Sequence, residues 1–271
     1  MRIGIAGLGL IGGSLALALR ERHEITGFDV SRETRDAAAT AGVRVVERLE
    51  ALLPADAVIV ATPLTAVLPT LGELIGRAGS AVLLDVASVR GPVDGFAREQ
   101  GDGAQIVGLH PMAGRSARGF AAADASLFAG RPFLVVPTAH TDARAMAVAG
   151  EIARDAGGVV TVCSAAEHDR IVALVSALPL ALAAALSAAA ADGTTDLAAF
   201  AGPGYRDTTR LAGTPLDLAE AMLLSNAGNV VAAIARFRTT LDELERAVAE
   251  RDSDALRRIL ERAARGRAPL G

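Results

Sequence analysis

The sequence predicts an α/β domain with a mostly parallel sheet at residues 1–164, followed by an all-α domain at residues 165–271. In the first part, short apolar runs alternate with helical stretches, which is typical of repeated strand–helix–strand units. After Val162 no strand-like run occurs, whereas helical periodicity continues to Ala264. The boundary between the two domains is therefore placed near residues 163–166.

Seven apolar runs in the first domain are predicted strands. They are Arg2–Ala6, Glu24–Phe28, Val58–Ala61, Val82–Val86, Ile106–Leu109, Phe133–Val136 and Val159–Val162. Helices are expected at Leu10–Arg20, at Arg32–Ala41, after Pro63, and from Gly91-Pro92 to Arg98. Residues 112–131 are expected to be rich in loops, with a short helix near Ala117–Ala123.

Three helices are predicted in the second domain, at Ala165–Ala191, Leu216–Arg238 and Leu241–Ala264. Part of the first, Ile171–Ala191, carries no charge and reaches the ~20-residue length of a membrane span. Its alanine content, together with Pro179, instead favours burial inside a helical domain or in a core shared by two chains.

The composition excludes several classes of function. The formal net charge of −4 argues against a nucleic-acid-binding protein, which normally shows a basic excess. Lysine is absent and all 27 basic residues are arginine, so neither a catalytic lysine nor a Walker-type phosphate loop is present. Cys163 is the single cysteine and the four histidines are scattered, so we expect no disulfide framework and no metal site.

A glycine-rich motif follows the first predicted strand and opens the first predicted helix. Gly7-Leu8-Gly9-Leu10-Ile11-Gly12 has the spacing of the dinucleotide-binding turn in a Rossmann-type fold. In that turn Gly7 permits the tight bend, Gly9 lets the backbone approach a pyrophosphate, and Gly12 allows close helix–strand packing. The amides of Leu10 and Ile11 then open a helix whose N-terminus attracts phosphate.

The residue that ends the second predicted strand indicates which dinucleotide is bound. Asp29 stands where a carboxylate accepts hydrogen bonds from the adenosine ribose and repels a 2′-phosphate, which favours NAD over NADP. Arg32 nearby could accommodate that phosphate, so NADP stays open as the less favoured cofactor.

Polar residues follow the next three predicted strands: Thr62-Pro63, Ser88 and His110. Ligands of doubly wound sheets bind beyond the carboxyl ends of the strands, so all three could face a bound cofactor. A neutral imidazole can take a proton from a hydroxyl, which makes His110 the candidate proton acceptor and Ser88 its candidate partner. Alternatively, His110 is a loop residue bound to the backbone.

The remaining histidines and two arginines receive weaker predictions. His23 is expected to be solvated and far from the site, and His168 either caps a helix or faces the cleft. Arg206 and Arg210 share one helical face at i, i+4 and could bind a carboxylate, or simply form a solvated face.

The chain resembles the prephenate/arogenate dehydrogenase family of tyrosine biosynthesis over almost its whole length. The motifs that carry the resemblance are Gly7-Leu8-Gly9-Leu10-Ile11-Gly12-Gly13-Ser14-Leu15, Val60-Ala61-Thr62-Pro63, Asp85-Val86-Ala87-Ser88-Val89-Arg90, His110-Pro111-Met112-Ala113-Gly114, Glu167-His168-Asp169 and Arg206-Asp207-Thr208-Thr209-Arg210. Those that contain His110 and Arg210 are much more specific than the glycine fingerprint.

The resemblance implies oxidative decarboxylation of prephenate to 4-hydroxyphenylpyruvate, or of arogenate to tyrosine, with NAD. It implies that His110 acts on the ring hydroxyl with help from Ser88, and that Arg210 binds a substrate carboxylate with Arg206 nearby. It also assigns Ser176 to the substrate pocket. A cytoplasmic homodimer joined through the C-terminal helices is the implied assembly.

One departure leaves the substrate open. The family often reads Ser-His-Leu-Pro-His where this chain has Ser176-Ala177-Leu178-Pro179-Leu180, so two polar groups are missing. Prephenate, arogenate and an amino-substituted analogue from specialised metabolism all stay open as substrates. The alternatives outside the family are a β-hydroxyacid dehydrogenase or imine-reductase relative, and a non-catalytic NAD-binding sensor.

Overall fold

The computed structural model describes residues 1–101, 105–115, 117–193 and 197–268. The strands are β1 Arg2–Ala6, β2 Glu24–Phe28, β3 Arg44–Val45, β4 Ala57–Val60, β5 Val82–Asp85, β6 Ile106–Pro111, β7 Pro132–Pro137 and β8 Val159–Val162. The helices are α1 Leu10–Leu19, α2 Arg32–Thr40, α3 Leu64–Ile75, α4 Gly91–Gln100, α5 Ala143–Asp155, α6 Ala165–Val172, α7 Leu178–Gly193, α8 Leu197–Phe200, α9 Pro203–Thr209, α10 Leu216–Ser225, α11 Ala227–Ala249 and α12 Ser253–Arg267.

The strands form one sheet in the order β3-β2-β1-β4-β5-β6-β7-β8. Only the β6–β7 pair is antiparallel among the described pairs, which confirms the predicted mostly parallel sheet. The carboxyl ends of β1, β2, β4, β5 and β6 therefore meet at one edge. Since β2 and β4 lie on opposite sides of β1, the strand order reverses there, and such a reversal is where doubly wound sheets bind ligands.

Helices cover the sheet on both faces, which explains why its central strands are mostly apolar, with the buried Asp85 at the end of β5 as an exception. Every residue of β4 and β5 is buried. One layer of core joins Leu15 and Leu19 of α1 to Ile152 of α5, and the other joins Leu71 and Leu74 of α3 to the opposite face of the sheet. The two layers hold the strand ends at fixed positions.

Several elements of the first half differ from the prediction, which contained no helix at Ala143–Asp155, where the structure has α5. The two-residue strand β3 was not predicted, because Arg44 and Val45 offer no alternation long enough to stand out. In residues 112–131, the short helix expected near Ala117–Ala123 is a single 3₁₀ turn at Phe120–Ala122.

The long helix predicted at Ala165–Ala191 contains a wide π-turn at Ala173–Ala177. Pro179 explains this turn, because its ring removes one N–H donor and crowds the carbonyl one turn earlier. Among the described helices, Ala165–Asp192 is the one that is long and apolar enough to span a membrane by itself. Of its most apolar 18-residue window, 28% is buried inside the chain.

The last two predicted helices have the wrong boundaries. The helix expected at Leu216–Arg238 stops at Ser225, because Asn226 leaves the helical conformation and donates through Nδ2 to the Asp169 carbonyl 2.7 Å away. The helix expected at Leu241–Ala264 is divided at Arg251, whose φ of +55° is left-handed, and α12 restarts on its cap Asp252.

The chain forms two compact units. Met1–Asn226 holds the whole sheet and α1 to α10, and Ala227–Gly271 holds α11 and α12. Within the second unit, Arg262 of α12 donates to Glu243 of α11 at 2.7 Å.

Candidate active site

The glycine loop between β1 and α1 has the shape of a phosphate cradle. Gly7 has a φ of +91°, and a Cβ there would lie 2.6 Å from the Ala61 carbonyl oxygen. A Cβ on Gly12 would lie 1.9 Å from the Gly7 carbonyl oxygen, whereas one on Gly9 would meet no atom within 4 Å. Gly7 and Gly12 are thus required by the fold, and Gly9 faces open space.

The N-terminus of α1 opens onto the same space. Gly9 caps the helix without any side-chain hydrogen bond, and the first turn contains no acidic residue. The backbone amides of the first turn of α1, including those of Leu10 and Ile11, are therefore available to an anion. The helix dipole also favours an anion there.

Asp29 connects the end of β2 to the glycine loop. Its Oδ2 accepts the Leu8 amide at 2.8 Å and its Oδ1 accepts the Ser31 amide at 2.9 Å. Each carboxylate oxygen keeps a further lone pair for a ligand hydroxyl. Val30 beside it is 88% exposed, an unprotected apolar side chain suited to packing against a base. Arg32 is exposed and lies 3.6 Å from Asp36 on the outer face of α2.

Thr62 carries an unused polar atom next to this loop. The chain leaves β4 through Ala61, whose amide extends the ladder to Ala6, and then presents Thr62 and the exposed Pro63. Thr62 Oγ1 is buried and has no hydrogen-bond partner among the described residues. An orphaned hydroxyl, an open glycine and an uncapped helix N-terminus at one edge fit a bound dinucleotide.

His110 lies near the end of β6 and contacts a second histidine. Its Nδ1 is 2.9 Å from Nε2 of His168, which belongs to α6 and is fully buried. On its other side, His168 Nδ1 lies 2.8 Å from Asp169 Oδ1. The three side chains form a continuous hydrogen-bonded chain from β6 into the helical part of the sequence.

The Asp169 carboxylate also caps the start of α4. Its Oδ1 accepts the Arg90 amide at 2.7 Å and its Oδ2 accepts the Gly91 amide at 2.8 Å. Burial would raise the pKa of Asp169, but the hydrogen bonds donated by His168 and by these two amides outweigh it and hold the pKa below its usual value. Asp169 is therefore an anion at neutral pH.

A buried ion pair lies beneath this cluster. The Arg90 guanidinium donates from Nη1 to Oδ1 of Asp85 and from Nη2 to Oδ2 at 2.8 Å. Gly108 of β6 makes room for it, since a Cβ there would lie 2.5 Å from Arg90 Cζ. The bidentate pair keeps the carboxyl end of β5 attached to the beginning of α4.

His110 is a neutral imidazole in this environment. Its pKa is lowered to about 3, chiefly by loss of contact with water and also by the electrostatic effects of His168 and Arg90, against the raising effect of Asp169. A neutral ring can accept a proton from a hydroxyl, which is the role that the sequence suggested.

The other predicted site residues are placed less closely together. Ser88 is partly buried in the turn between β5 and α4, and it does not hydrogen-bond to the described His110 side chain. Ser176 lies in the π-turn before α7 and is partly buried. Arg206 in α9 and Arg210 in the following 3₁₀ turn are exposed, and neither has an acidic partner within the described part of the chain.

The prediction that His23 is solvated was wrong. Its Nε2 lies 2.8 Å from Asp155 Oδ2, its Nδ1 lies 3.3 Å from the N-terminal nitrogen, and the ring is buried. Among the described residues, His23, Glu151 and Asp155 are the one group with spacing suited to a metal ion. Arg22 already donates to Asp155 at 2.8 Å, so these groups stabilise one another without an ion.

Sequence reasoning left two parts of the site unassigned. The sequence predicts that His168 either caps a helix or faces the cleft, and it assigns no role to Asp169, Asp85 or Arg90. A carboxylate next to a histidine at the start of an apolar helix was the available signal. Its partner His110 is distant in sequence, so only the packing of α6 reveals the connection.

Comparisons with known proteins match the whole described architecture. Residues 15–162 match the profile of the family described as prephenate dehydrogenase, nucleotide-binding domain, and residues 164–262 match prephenate dehydrogenase, dimerization domain. A prephenate dehydrogenase of Bacillus subtilis (strain 168) is 31% identical over 271 residues, which is 96% of this chain and 73% of the relative.

Two solved structures superpose over nearly the full chain. Arogenate dehydrogenase of Synechocystis is 32% identical with a TM-score of 0.87 and covers 100% of both chains. Prephenate dehydrogenase of Aquifex aeolicus, in complex with hydroxyphenyl propionate and NAD+, is 26% identical with a TM-score of 0.91, covering 99% of this chain and 98% of the other.

Proposed function

Because the chain belongs to the prephenate dehydrogenase family, we propose that the cluster around His110 performs the proton chemistry of its reaction. The protein is an NAD-dependent oxidoreductase that oxidatively decarboxylates prephenate or arogenate. The observation that carries the assignment of the site is a neutral histidine at the same carboxyl edge of the sheet as the glycine loop.

The balance of the reaction defines what the protein must do. When bound, NAD+ supplies the hydride acceptor. The substrate hydroxyl gives up its proton, the ring carboxylate leaves as CO2, and the ring becomes aromatic. Prephenate and NAD+ give 4-hydroxyphenylpyruvate, CO2 and NADH with no net release of a proton. The group that takes the hydroxyl proton must therefore return one to the phenolic oxygen.

His110 fits this double role in our proposal. It is neutral before the reaction, so it can accept the proton of the ring hydroxyl, and it then donates a proton to the product. Ser88 lies in the adjacent turn and is assigned to orient the same hydroxyl.

The cofactor is assigned to residues at the reversal point of the sheet. Gly7, Gly9 and Gly12 would hold the pyrophosphate with the amides of Leu10 and Ile11. The same site would use Asp29 for the adenosine ribose, and Thr62 with Pro63 to line the space beyond β4.

The substrate carboxylates are assigned to the helical residues. Among the residues that the structure describes, the exposed guanidinium groups of Arg210 and Arg206 have no acidic partner, and guanidinium binds carboxylate in a bidentate manner. Ser176 is assigned to the same pocket on the strength of the family motif that contains it. Ala177 and Leu180 in that motif are buried and apolar, so they offer no hydrogen bond to a substrate side chain.

We also propose that the functional division lies at residue 164 and that the helical part joins two copies of the chain. The two family profiles meet between residues 162 and 164, and the second is described as a dimerization domain. The helices of residues 165–226 leave Val175, Leu186, Phe200, Leu216 and Leu224 exposed. We propose that a second copy of the chain covers these residues, in a cytoplasmic homodimer. Analytical ultracentrifugation should then give twice the 27.5 kDa chain mass.

The direct test is NADH formation by the purified protein with prephenate and arogenate in parallel, and with NADP+ as a cofactor control. Turnover of either substrate supports the proposal and shows which ring substituent the pocket accepts. If NAD binds but neither substrate reacts, the apolar Ala177 and Leu180 indicate an amino-substituted ring compound as the next substrate to test.

A further inference from the structure

We propose that His168 and Asp169 are positioning residues that hold His110 in one tautomer, with its hydrogen on Nδ1 and a free lone pair on Nε2. The proposal rests on the proposed function, in which His110 exchanges a proton with the ring hydroxyl. In this proposal His168 and Asp169 contribute to the reaction although neither contacts the cofactor or the substrate.

The first step of the argument is the direction of the hydrogen bonds at Asp169. Its two oxygens receive the backbone amides of Arg90 and Gly91, and a backbone N–H can only donate. The carboxylate has the low pKa described above, so it carries no hydrogen of its own. The 2.8 Å contact with His168 must therefore be donated by His168 Nδ1.

The second step concerns the direction of the hydrogen bond between His168 and His110. In the arrangement that we propose, His168 is uncharged, and an imidazole whose one hydrogen is on Nδ1 has only a lone pair on Nε2. His168 Nε2 is therefore the acceptor in the 2.9 Å contact, and His110 Nδ1 is the donor. His110 then has its lone pair on Nε2, the nitrogen turned away from His168. The opposite tautomer would place a hydrogen on Nε2 and could not accept a proton at that nitrogen.

The charges around His110 favour the same arrangement in the protonated state. Arg90 is the nearby cation, and its guanidinium is paired through two bonds with Asp85. Within the described part of the chain Asp169 forms no ion pair with a guanidinium, and it raises the pKa of His110. When His110 takes the substrate proton, its positive charge is stabilised through His168 toward Asp169. No proton needs to leave His110, which keeps it ready to reprotonate the product.

Asp169 also links the start of α4 to the region around His110 through hydrogen bonds. It binds the first amides of α4, two residues beyond Ser88, while its neighbour His168 holds β6 through His110. Its backbone carbonyl accepts the buried Asn226 side chain at 2.7 Å. One acidic residue therefore sets the relative position of the Ser88 turn and the His110 ring.

The kinetic test compares His168→Leu, His168→Gln and Asp169→Asn in the full-length enzyme. Gln can present an amide oxygen to His110 Nδ1, whereas Leu cannot. We expect kcat to fall about 100-fold in His168→Leu and about 10-fold in His168→Gln, within the range of general-base catalysis, with NAD affinity and substrate KM unchanged. Asp169→Asn keeps one acceptor oxygen but loses the charge, and kcat should fall between these values.

His23→Gln is the matched control. It also removes a buried histidine–aspartate hydrogen bond, to Asp155, but at the amino edge of the sheet, and it should keep the wild-type kcat. Equal losses in His168→Leu and His168→Gln, a rise in KM alone, or full activity in His168→Leu would overturn the proposal. Absence of turnover in the wild-type enzyme would instead contradict the proposed function.

The tautomer itself can be measured without substrate. With only four histidines, 15N–1H correlation spectra of the imidazole rings can be assigned through His110→Asn and His168→Gln. At neutral pH we expect a protonated Nδ1 and a bare Nε2 on both His110 and His168. A hydrogen on Nε2 of His110 would overturn the proposal even if the His168 variants fail to fold.

Discussion

The amide nitrogen of Leu8 lies 2.8 Å from Oδ2 of Asp29, so the carboxylate that ends β2 also shapes the glycine loop after β1. We propose that the same side chain binds the adenosine ribose. If it does, cofactor choice and loop geometry are coupled through a single residue, and a change at Asp29 should affect both.

Asp29→Asn should weaken NAD binding and reduce discrimination against NADP. Asparagine keeps one acceptor oxygen where the aspartate uses two, and it no longer repels a 2′-phosphate. We expect Kd for NAD to rise about tenfold, which corresponds to about 1.4 kcal/mol. Titration of both cofactors by protein or nucleotide fluorescence measures this. Asp36→Asn on the outer face of α2 is the control, and an unchanged cofactor preference in Asp29→Asn would contradict the assignment.

Gly9→Ala and Gly12→Ala should separate cofactor binding from stability. A methyl group at Gly9 meets no protein atom, so we expect an unchanged Tm with NAD affinity reduced by about tenfold or more, because the methyl occupies the phosphate space. At Gly12 the methyl would overlap the Gly7 carbonyl, which should cost about 1–3 kcal/mol of unfolding free energy. Thermal melts with and without NAD give both quantities. Normal NAD affinity in Gly9→Ala would contradict the assignment of the pyrophosphate to this loop.

The low pKa of His110 predicts an unusual pH dependence. Its pKa is about 3 in the folded chain against 6.5 for a free side chain, so between these values the unfolded chain binds more protons. The free energy of unfolding should therefore decrease as pH falls from 6.5 toward 3, and less steeply in His110→Asn. Likewise, the acid limb of kcat/KM should lie below pH 6.5. A limb at or above 6.5 would show that His110 is not desolvated.

Arg210→Ala should raise the substrate KM by about 10- to 100-fold, the loss expected for a charged hydrogen bond, with kcat changed less. Arg210→Lys keeps the charge but not the bidentate geometry, and should fall between this variant and the wild type. Arg98→Ala in α4 removes another exposed arginine and serves as the control. An unchanged KM in Arg210→Ala would exclude this residue from carboxylate binding.

Much of the sheet follows from local sequence patterns. β4 is a continuous apolar run and β5 is apolar up to Asp85, because helices cover both faces, and such runs stand out in the sequence. The two-residue β3 has no comparable pattern and depends on pairing with β2. The breaks at Asn226 and Arg251 fall in polar stretches, at 225–226 and 250–254, and the helical pattern resumes beyond each, so the prediction ran through them. At Asn226 the break is accompanied by a buried hydrogen bond to a residue distant in the sequence.

The candidate site also combines features that local sequence predicts with features that only tertiary packing produces. The glycine loop, Asp29 and His110 occupy strand ends, and the strand pattern places strand ends at one edge without further information. His168 and Asp169 reach the site through the packing of α6 against α4 and β6, and no local pattern encodes the 2.9 Å contact with His110. The environment that lowers the pKa of His110 is likewise a product of tertiary structure.

The measurement that tests the account most directly is the joint formation of NADH and CO2 from prephenate or arogenate by the wild-type enzyme and by His110→Asn. We expect equal amounts of both products from the wild type, a kcat lower by about 100- to 10,000-fold in the variant, and unchanged NAD affinity. NADH without CO2, or a His110→Asn enzyme with wild-type kcat, would contradict the claim that His110 exchanges the proton in an oxidative decarboxylation.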